Sequence, residues 1–215
     1  MRTFWMGVMV AAGLLLTCVA MPLRAADAPA GKSPLLDPKS PDMNKQAPEV
    51  YRAKFETSKG IFVVEVTRKW SPLGADRFYN LVRNGFFDDC RFFRVISGFM
   101  VQGGCPHTKK GAKGTPGTGD PGYKLKAEFN AKSHVRGVIS MARSSDPHSA
   151  GCQFFICHGN ASFLDQKYTA FGQIVAGDAV LEAIASVPVT FGAGREKSTP
   201  VDRVEVESIK VVAAA

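Results

Sequence analysis

The sequence has only 2 tryptophans and 4 tyrosines, and it lacks the short motifs that mark several enzyme classes. It contains no Walker motif, no HExxH and no GxSxG, so it gives no support to a phosphate loop, a zinc protease or a serine hydrolase. It contains no CxxC, and the adjacent Cys157 and His158 lack the spacing of a haem-attachment site. One GxGxxG match, residues 117–122, contains Pro121 and opens no predicted helix, so we interpret it as a chance match. We therefore expect no cofactor and no metal site.

The chain is basic, with a formal net charge of +8, but its basic residues are scattered. The one local cluster, Lys109, Lys110 and Lys113, lies in a glycine-rich stretch without interleaved aromatic residues. Nucleic-acid sites combine a basic patch with further motif or aromatic signals. We therefore interpret the cluster as a solvated loop and expect no nucleic-acid partner.

The N-terminus has the pattern of a targeting segment. Arg2 precedes an uncharged apolar run at residues 4–20, which Pro22 ends before a stretch of small residues. This pattern predicts a secretory signal peptide at residues 1–26, and therefore an exported protein with the periplasm as its expected compartment. Two rival interpretations are an uncleaved membrane anchor, because the run is near the minimum spanning length, and a lipoprotein, because LLTC ends in Cys18.

The composition then predicts one linker and one folded domain. Residues 27–49 contain five prolines with little apolar periodicity, which is typical of a semi-extended linker. The domain is predicted to occupy residues 50–212, and the hydrophobic content of 45% is sufficient for one large core. With 15 phenylalanines in the chain, we expect that core to be rich in phenylalanine. No exposed apolar helix suggests a dimer, so we expect a monomer.

Local patterns predict a mainly β domain with two helices. Ser71 and Pro72 suit the N-cap and first position of one helix, Gly85 suits its end, and the second helix is predicted at residues 178–185. Alternation and turn residues predict the strands 51–57, 60–66, 135–142, 152–157, 169–175 and 203–212. Many short strands with two helices indicate a β-barrel with helical caps.

A hairpin predicted at residues 92–104 carries two unexpected polar residues, Arg94 and Gln102. Strand residues alternate between faces, so if the strand at 152–157 lies beside this hairpin, one surface combines Met100, Gln102, Gln153 and Phe155. Apolar side chains with amides and an arginine suit a peptide-binding site. The rival interpretation is that the glutamines bind loop carbonyl groups and the arginine extends out of the barrel end.

Four stretches, FFRVISGFMVQGG, GVISMAR, QFFIC and SFLDQKYTAFG, resemble the cyclophilins, a class of peptidyl-prolyl cis-trans isomerases. The resemblance covers about residues 50–212 in order. It implies a closed eight-stranded antiparallel β-barrel capped by two α-helices. It also implies isomerisation of Xaa-Pro bonds in proline-containing peptides and in unfolded or exported proteins, without a cofactor.

The resemblance also implies roles for individual residues. It makes Arg94 the catalytic arginine, with its charge used by the substrate and not by a salt bridge. It places Phe99, Met100, Phe155 and Leu164 at the proline pocket. It gives Gln102, Ala142 and Gln153 the task of binding the substrate backbone or placing the arginine.

Three residues differ from the best-known eukaryotic cyclophilin pattern. Phe163 stands where a tryptophan contacts cyclosporin, Tyr168 replaces a histidine, and Arg143 replaces an asparagine. Because the indole donor is lost, we expect weak cyclosporin binding. Arg143 is still expected to offer its main chain to a substrate.

Other functions remain open from the sequence. One is a proline-peptide binding module or chaperone without turnover, and another is a periplasmic metal-binding protein that uses cysteine, histidine and methionine. Cys105 and Cys152 each lie near a pocket glutamine, so they could form a disulfide. The alternative is that Cys90, Cys105, Cys152 and Cys157 are small buried residues.

Overall fold

A computed structural model of the chain describes Met1, residues 39–192 and residues 195–213. The predicted signal peptide at residues 1–26, apart from Met1, and the first part of the predicted linker lie outside the described residues. Within the described ranges, no helix has the length and hydrophobicity needed to cross a membrane.

The described chain contains eleven strands and two α-helices. The strands are β1 (Val50–Thr57), β2 (Gly60–Thr67), β3 (Cys90–Phe92), β4 (Arg94–Ile96), β5 (Met100–Gly103), β6 (Val138–Met141), β7 (Phe154–Cys157), β8 (Thr169–Ala176), β9 (Val189–Phe191), β10 (Lys197–Pro200) and β11 (Val204–Val212). The helices are α1 (Pro72–Arg83) and α2 (Asp178–Ala185). Both predicted helices are confirmed, and the predicted strands are present with shorter ends at β6 and β7.

Nine strands form one antiparallel sheet in the order β3-β11-β1-β2-β8-β6-β7-β5-β4. The two edge strands, β3 and β4, are separated along the chain by Phe93 alone, so the sheet nearly closes into a barrel. The implied count of eight strands differs because the backbone changes partners at Phe93, from β11 on one side to β5 on the other. The barrel architecture with two helices is confirmed.

A small second sheet, in which β9 pairs with β10, was not predicted from the sequence. This hairpin follows α2. Its strands are short and contain few apolar residues, so they show little of the alternation that predicts a strand. Phe191 on β9 is 69% exposed, so burial gives no pattern from which the strand could be predicted. The hairpin is important for the site because Glu196, the residue just before β10, forms a salt bridge with Arg94 on β4.

The core is built largely from phenylalanine rings, as predicted. Strand β1 alternates buried and partly exposed residues, so that one face of the sheet supplies the barrel interior. Phe154 on β7 is 1% exposed and contacts a group of buried rings, Phe55, Phe78, Phe87 and Phe92. Edge-to-face packing of this kind adds stability beyond the buried area.

Helix α1 begins at Pro72 with Ser71 as its N-cap residue, as predicted, but the capping group comes from elsewhere. The carboxylate of Glu128 accepts hydrogen bonds from the Ser71 hydroxyl and from two backbone N–H groups of the first turn. A negative charge there also interacts favourably with the helix dipole. The helix ends before Gly85, which has the predicted left-handed conformation, with φ of 65°.

Part of the segment predicted as a linker packs on the domain. A one-turn 3-10 helix at Pro41–Met43 buries Met43, and Ala47 is also buried in the core. The Ala47 N–H donates to Asp76 Oδ1 on α1 at 2.9 Å. Residues 39–49 therefore contribute to the folded unit.

The hypothesised Cys105–Cys152 disulfide is wrong for this structure. Cys90, Cys105, Cys152 and Cys157 are all free and buried, in agreement with the alternative that they are small core residues. Burial raises the pKa of Cys90 to about 11, and it also raises the pKa of Cys152 and Cys157. Such thiols are poor nucleophiles.

Among the described residues, no group of three or more His, Cys, Asp or Glu side chains could hold a metal ion.

Candidate functional site

Three neighbouring strands place the predicted site residues on one surface. Strand β5 pairs with β4 on one side and with β7 on the other. Within these pairs Arg94 lies opposite Gln102, and Gln102 lies opposite Phe155. The condition on which the predicted surface depended, that these two strands are neighbours, is therefore met, and the surface continues to the arginine on β4.

A small apolar cavity opens on this surface. Its floor is a buried cluster separate from the barrel core, formed by Met100, Phe155, Cys157, Ala161 and Leu164. The cavity has a volume of about 90 Å³ and is lined by Arg94, Phe99, Met100, Gln102, Ala142, Arg143, Phe155, Leu164 and Tyr168. A water molecule in the liquid occupies about 30 Å³, so the cavity has the volume of about three water molecules. That space is sufficient for one small ring. We refer to it below as the apolar cavity.

Phe163 lies outside the apolar cavity, at its rim. Its side chain is 60% exposed, and its ring packs on that of Phe99 with a centroid distance of 5.4 Å. The neighbouring Leu164 points inward and is buried, because the one-turn 3-10 helix at Ser162–Leu164 turns the two side chains apart. Phe163 is thus available for a larger ligand but not for a group bound inside the apolar cavity.

Arg94 has a salt bridge, so the expectation that its charge is left for the substrate is wrong in this structure. Nε of Arg94 donates to Oε2 of Glu196 at 2.7 Å, and Nη2 donates to Oε1 at 2.8 Å. The guanidinium lowers the pKa of the Glu196 carboxyl below its usual value. Nη1 of Arg94 lies 3.9 Å from Met100 Sδ and 3.4 Å from Gln102 Oε1, so that end of the group lines the apolar cavity.

A chain of amide hydrogen bonds fixes the orientation of Gln102. Gln153 Nε2 donates to the carbonyl oxygens of Gly117 and Gly119, each at 2.9 Å. Its Oε1 therefore faces Gln102 and accepts from Nε2 at 3.1 Å, which turns Gln102 Oε1 toward Arg94. The sequence suggested either a peptide-binding surface or glutamines that bind loop carbonyl groups, and the structure contains elements of both. Gln153 binds loop carbonyl groups, and in doing so it orients the amide beside the arginine.

A second, more polar cavity of about 300 Å³ adjoins the first. It is lined by Gln102, Gly117, Thr118, Gly119, Asp120, Lys124, Ala142, Arg143, Ser144, Ser149, Gly151, Cys152 and Gln153. Gln102, Ala142 and Arg143 line both cavities, so together they form one groove. The long glycine-rich loop after β5 supplies one wall of this groove.

Arg143 separates the two cavities, and its side chain is fixed by the protein. The guanidinium lies 4.5 Å from the centre of the Tyr168 ring and donates to the carbonyl oxygens of Ser144 and Lys167. The side chain therefore acts as a wall. Ala142, just before it, uses its N–H for Gln153 O at 2.9 Å.

A buried histidine supports the floor of the apolar cavity. His134 is 1% exposed, and its ring stacks on Phe155 with a centroid distance of 5.9 Å. Nδ1 of His134 lies 2.9 Å from Asp165 Oδ1, and Nε2 lies 3.1 Å from Ser140 Oγ. Hydrogen bonds from Ser133 and His134 lower the pKa of Asp165 to about 2.

We expect Asp165→Asn to remove a pH-dependent part of the stability. The folded-state pKa of about 2 lies below the usual value of 3.8, so the stabilisation is fully present above about pH 4. It is lost as the pH falls from about 4 to 2. The difference in unfolding free energy between wild type and variant, from urea denaturation followed by circular dichroism, should therefore shrink over that interval. Asp202→Asn, at an exposed carboxylate, is the control, and an equal pH dependence in both variants would contradict the assignment.

Several residues that shape the site have no signal in the sequence. Glu196 is 102 positions from Arg94, and the backbone of Gly117 and Gly119 is 34 to 36 positions from Gln153. These contacts link separate elements and leave no local periodicity. The only signal in the sequence for His134 is that it directly precedes a predicted strand of the site, which does not by itself indicate a role.

Comparisons with known proteins agree with this geometry. Residues 52–211 match the family model described as "Cyclophilin type peptidyl-prolyl cis-trans isomerase/CLD". The chain is 43% identical over 122 residues to a peptidyl-prolyl cis-trans isomerase of Synechococcus elongatus, covering 57% of this chain and 79% of that protein. It is 39% identical over 128 residues to one of Helicobacter pylori, covering 59% and 74%.

The fold is similar to that of a cyclophilin type peptidyl-prolyl cis-trans isomerase of Cryptosporidium parvum. One crystal structure of that protein has a TM-score of 0.68 at 23% identity and covers 77% of this chain and 99% of its own. Another, described as determined in the presence of the dipeptide Ala-Pro, has a TM-score of 0.67 at 24% identity and covers 76% and 99%. At these identities the likeness supports the fold.

Proposed function

The chain belongs to the family of cyclophilin-type peptidyl-prolyl cis-trans isomerases, and from that premise we propose that it isomerises Xaa-Pro bonds of exported proteins with assistance from Arg94. It is an isomerase by family, and the arginine's part is our inference. The observation that carries the inference is that the Arg94 guanidinium lines the same small cavity as Met100 and Phe155. A charged donor and a pocket for one ring are thus within reach of a single Xaa-Pro unit.

Rotation about an amide bond is slow because resonance gives the bond partial double-bond character, with a barrier of about 18–20 kcal/mol. For Xaa-Pro bonds both isomers are populated, but they exchange over tens to hundreds of seconds. An enzyme accelerates this exchange if it binds the twisted amide more tightly than either planar form. No bond is formed or broken, so the protein needs only groups that recognise the twisted state.

The groove supplies such groups. Met100, Phe155 and Leu164 hold the proline ring, so the preceding carbonyl group rotates. Twisting localises a lone pair on the proline nitrogen, and an N–H of Arg94 donates to that nitrogen. Gln102 keeps the guanidinium at the cavity edge through its contact with Nη1, at 3.4 Å. A donor already in position needs little reorganisation, and this is the largest source of catalysis in many enzymes.

The expected partners are proline-containing peptides and unfolded exported proteins. The Cryptosporidium parvum relative studied with Ala-Pro supports a short proline peptide as a ligand of this fold. Phe163 at the rim offers ring surface but no N–H donor, which supports the proposal of weak cyclosporin binding. We also propose a monomer, which light scattering of the purified chain would test.

Export remains part of the proposal and rests on the apolar N-terminal run of the sequence. Fractionation of producing cells, together with N-terminal sequencing of the recovered protein, would test it. Recovery in the periplasm with a new N-terminus near residue 27 would support export. Recovery in the cytoplasm with Met1 intact would contradict export without affecting the isomerase assignment.

The proposed mechanism has no proton transfer, so we expect kcat/KM for an Xaa-Pro peptide to stay nearly constant from about pH 7 to 9. The carboxylate beside Arg94 has a lowered pKa and stays ionised over that range. The measurement is the isomerisation rate of a peptide in buffers of matched ionic strength. A bell-shaped profile within this range would indicate acid–base catalysis and contradict the mechanism.

A further inference from the structure

The salt bridge between Arg94 and Glu196 has the geometry of a fixed support. The carboxylate binds the Nε and Nη2 side of the guanidinium through both oxygens, at 2.7 and 2.8 Å. Such bidentate pairs fix the plane of the guanidinium as well as its position, which a single contact does not. Arg94 therefore has one orientation relative to β10.

The donors that remain are on the side of Arg94 that faces the apolar cavity. Gln102 Oε1 accepts from Nη1 at 3.4 Å, and the thioether of Met100 is 3.9 Å from the same nitrogen. Within the described part of the chain, one N–H of Nη2 has no partner, and one N–H of Nη1 meets only that weak thioether acceptor. Glu196 and Gln102 thus hold the Arg94 guanidinium from its two sides. The edge between Nη1 and Nη2 is left for a ligand.

Glu196 is itself held in place. Ser198 on β10 is buried, and its proximity to the Glu196 carboxylate contributes to the lowered pKa of that group. The Gly192 N–H, directly after β9, donates to Glu196 O at 3.0 Å, which ties Glu196 to the end of that strand. Because its neighbours fix the orientation of Glu196, Glu196 can in turn fix the orientation of Arg94.

Glu196 also has an opposing effect, because its charge competes with a substrate for the charge of Arg94. In this geometry that competition is weaker than the orienting effect of the two hydrogen bonds. The Glu196 side chain is 42% exposed and that of Arg94 is 34% exposed, so water screens the carboxylate charge at the distance of a bound amide. The two hydrogen bonds act at contact and are screened much less. A substrate therefore loses little attraction and gains a donor that is already oriented.

We propose that Glu196 is a positioning residue of the isomerase, which acts through Arg94 by holding the guanidinium edge toward the apolar cavity. The proposal rests on the role proposed for Arg94 above. It assigns a part in the reaction to the β9–β10 hairpin, which lies outside the strands that carry the other site residues.

The test is a double-mutant cycle in the full chain with an Xaa-Pro peptide as substrate. Glu196→Ala is expected to lower kcat about tenfold, because misplaced catalytic groups cost rate, while KM stays near the wild-type value. Glu196→Gln should lie between the two, since its amide oxygen can accept from only one side of the fork. In an Arg94→Ala background, Glu196→Ala should cause no further loss.

Matched controls separate this role from a structural one. Glu65 pairs with Arg52 at 3.2 Å, is 33% exposed, and lines neither cavity, so Glu65→Ala should leave kcat and KM unchanged. If Glu196→Ala lowers activity equally with and without Arg94, or raises kcat, positioning through Arg94 is overturned. If Arg94→Ala is impaired but Glu196→Ala is not, only this inference fails. If Arg94→Ala itself has wild-type activity, the proposed function of Arg94 fails with it.

Discussion

Replacing Arg94 with alanine is expected to lower kcat/KM for an Xaa-Pro peptide by about 100-fold or more, the usual effect of removing one donor that stabilises a transition state. The side chain lines the apolar cavity but belongs to neither core cluster, so its loss should have little effect on folding. The measurement is the isomerisation rate of a short peptide, with circular dichroism to confirm that the variant is folded.

Two further variants make the Arg94 result specific. Arg94→Lys should also be strongly impaired, because an ammonium group cannot bind Glu196 and the substrate with the geometry of a guanidinium fork. Arg52→Ala removes an arginine of similar exposure from the Arg52–Glu65 pair and should keep wild-type activity. Wild-type rates in Arg94→Ala would contradict the mechanism.

Phe154→Ala is expected to lower the free energy of unfolding by about 3–5 kcal/mol, the usual cost of deleting a buried phenylalanine ring. Phe154 is 1% exposed and packs against four other rings in the barrel, so a cavity would remain at the centre of the cluster. Urea denaturation measures the change. The kcat/KM of the folded fraction should remain near that of wild type, because Phe154 does not line either cavity.

The next residue provides the contrast. Phe155 is on the opposite face of β7, where it forms the floor of the apolar cavity. Phe155→Ala should lower kcat/KM about 10- to 100-fold, which corresponds to about 1.5–3 kcal/mol of lost apolar contact. If Phe154→Ala impairs catalysis in the folded state as strongly as Phe155→Ala, the division of β7 into a core face and a groove face is wrong. Phe154→Leu serves the same purpose if the alanine variant does not fold.

Much of the fold follows from local patterns in the sequence. Alternation in the strands, Pro72 at the first position of α1 and Gly85 after its end act over a few residues, and the structure agrees with each. The near closure of the barrel does not follow from local patterns. It depends on the change of partner at Phe93, where β3 pairs with β11 and β4 pairs with β5. No property of that one residue marks the change.

The site was predicted less completely than the fold. Alternation indicated that Gln102 and Phe155 share a surface if their strands are neighbours, and the resemblance to the cyclophilins supplied the roles. The salt bridge of Arg94 was not predicted, because Glu196 belongs to a hairpin outside the recognised motifs and has no local signal. For the same reason the carboxylate of Glu128 was missed as the cap of α1. Charged partners that meet across the fold depend on tertiary structure, which short-range patterns do not contain.

The most direct test of the account is two-dimensional NMR exchange on an Xaa-Pro peptide with a small amount of the full chain. We expect cross-peaks between the cis and trans resonances of the peptide at mixing times far shorter than the tens of seconds of uncatalysed exchange, and their absence with Arg94→Ala. Binding of the peptide, seen as line broadening or shifts without exchange cross-peaks, would instead indicate a proline-peptide binding module and contradict the account.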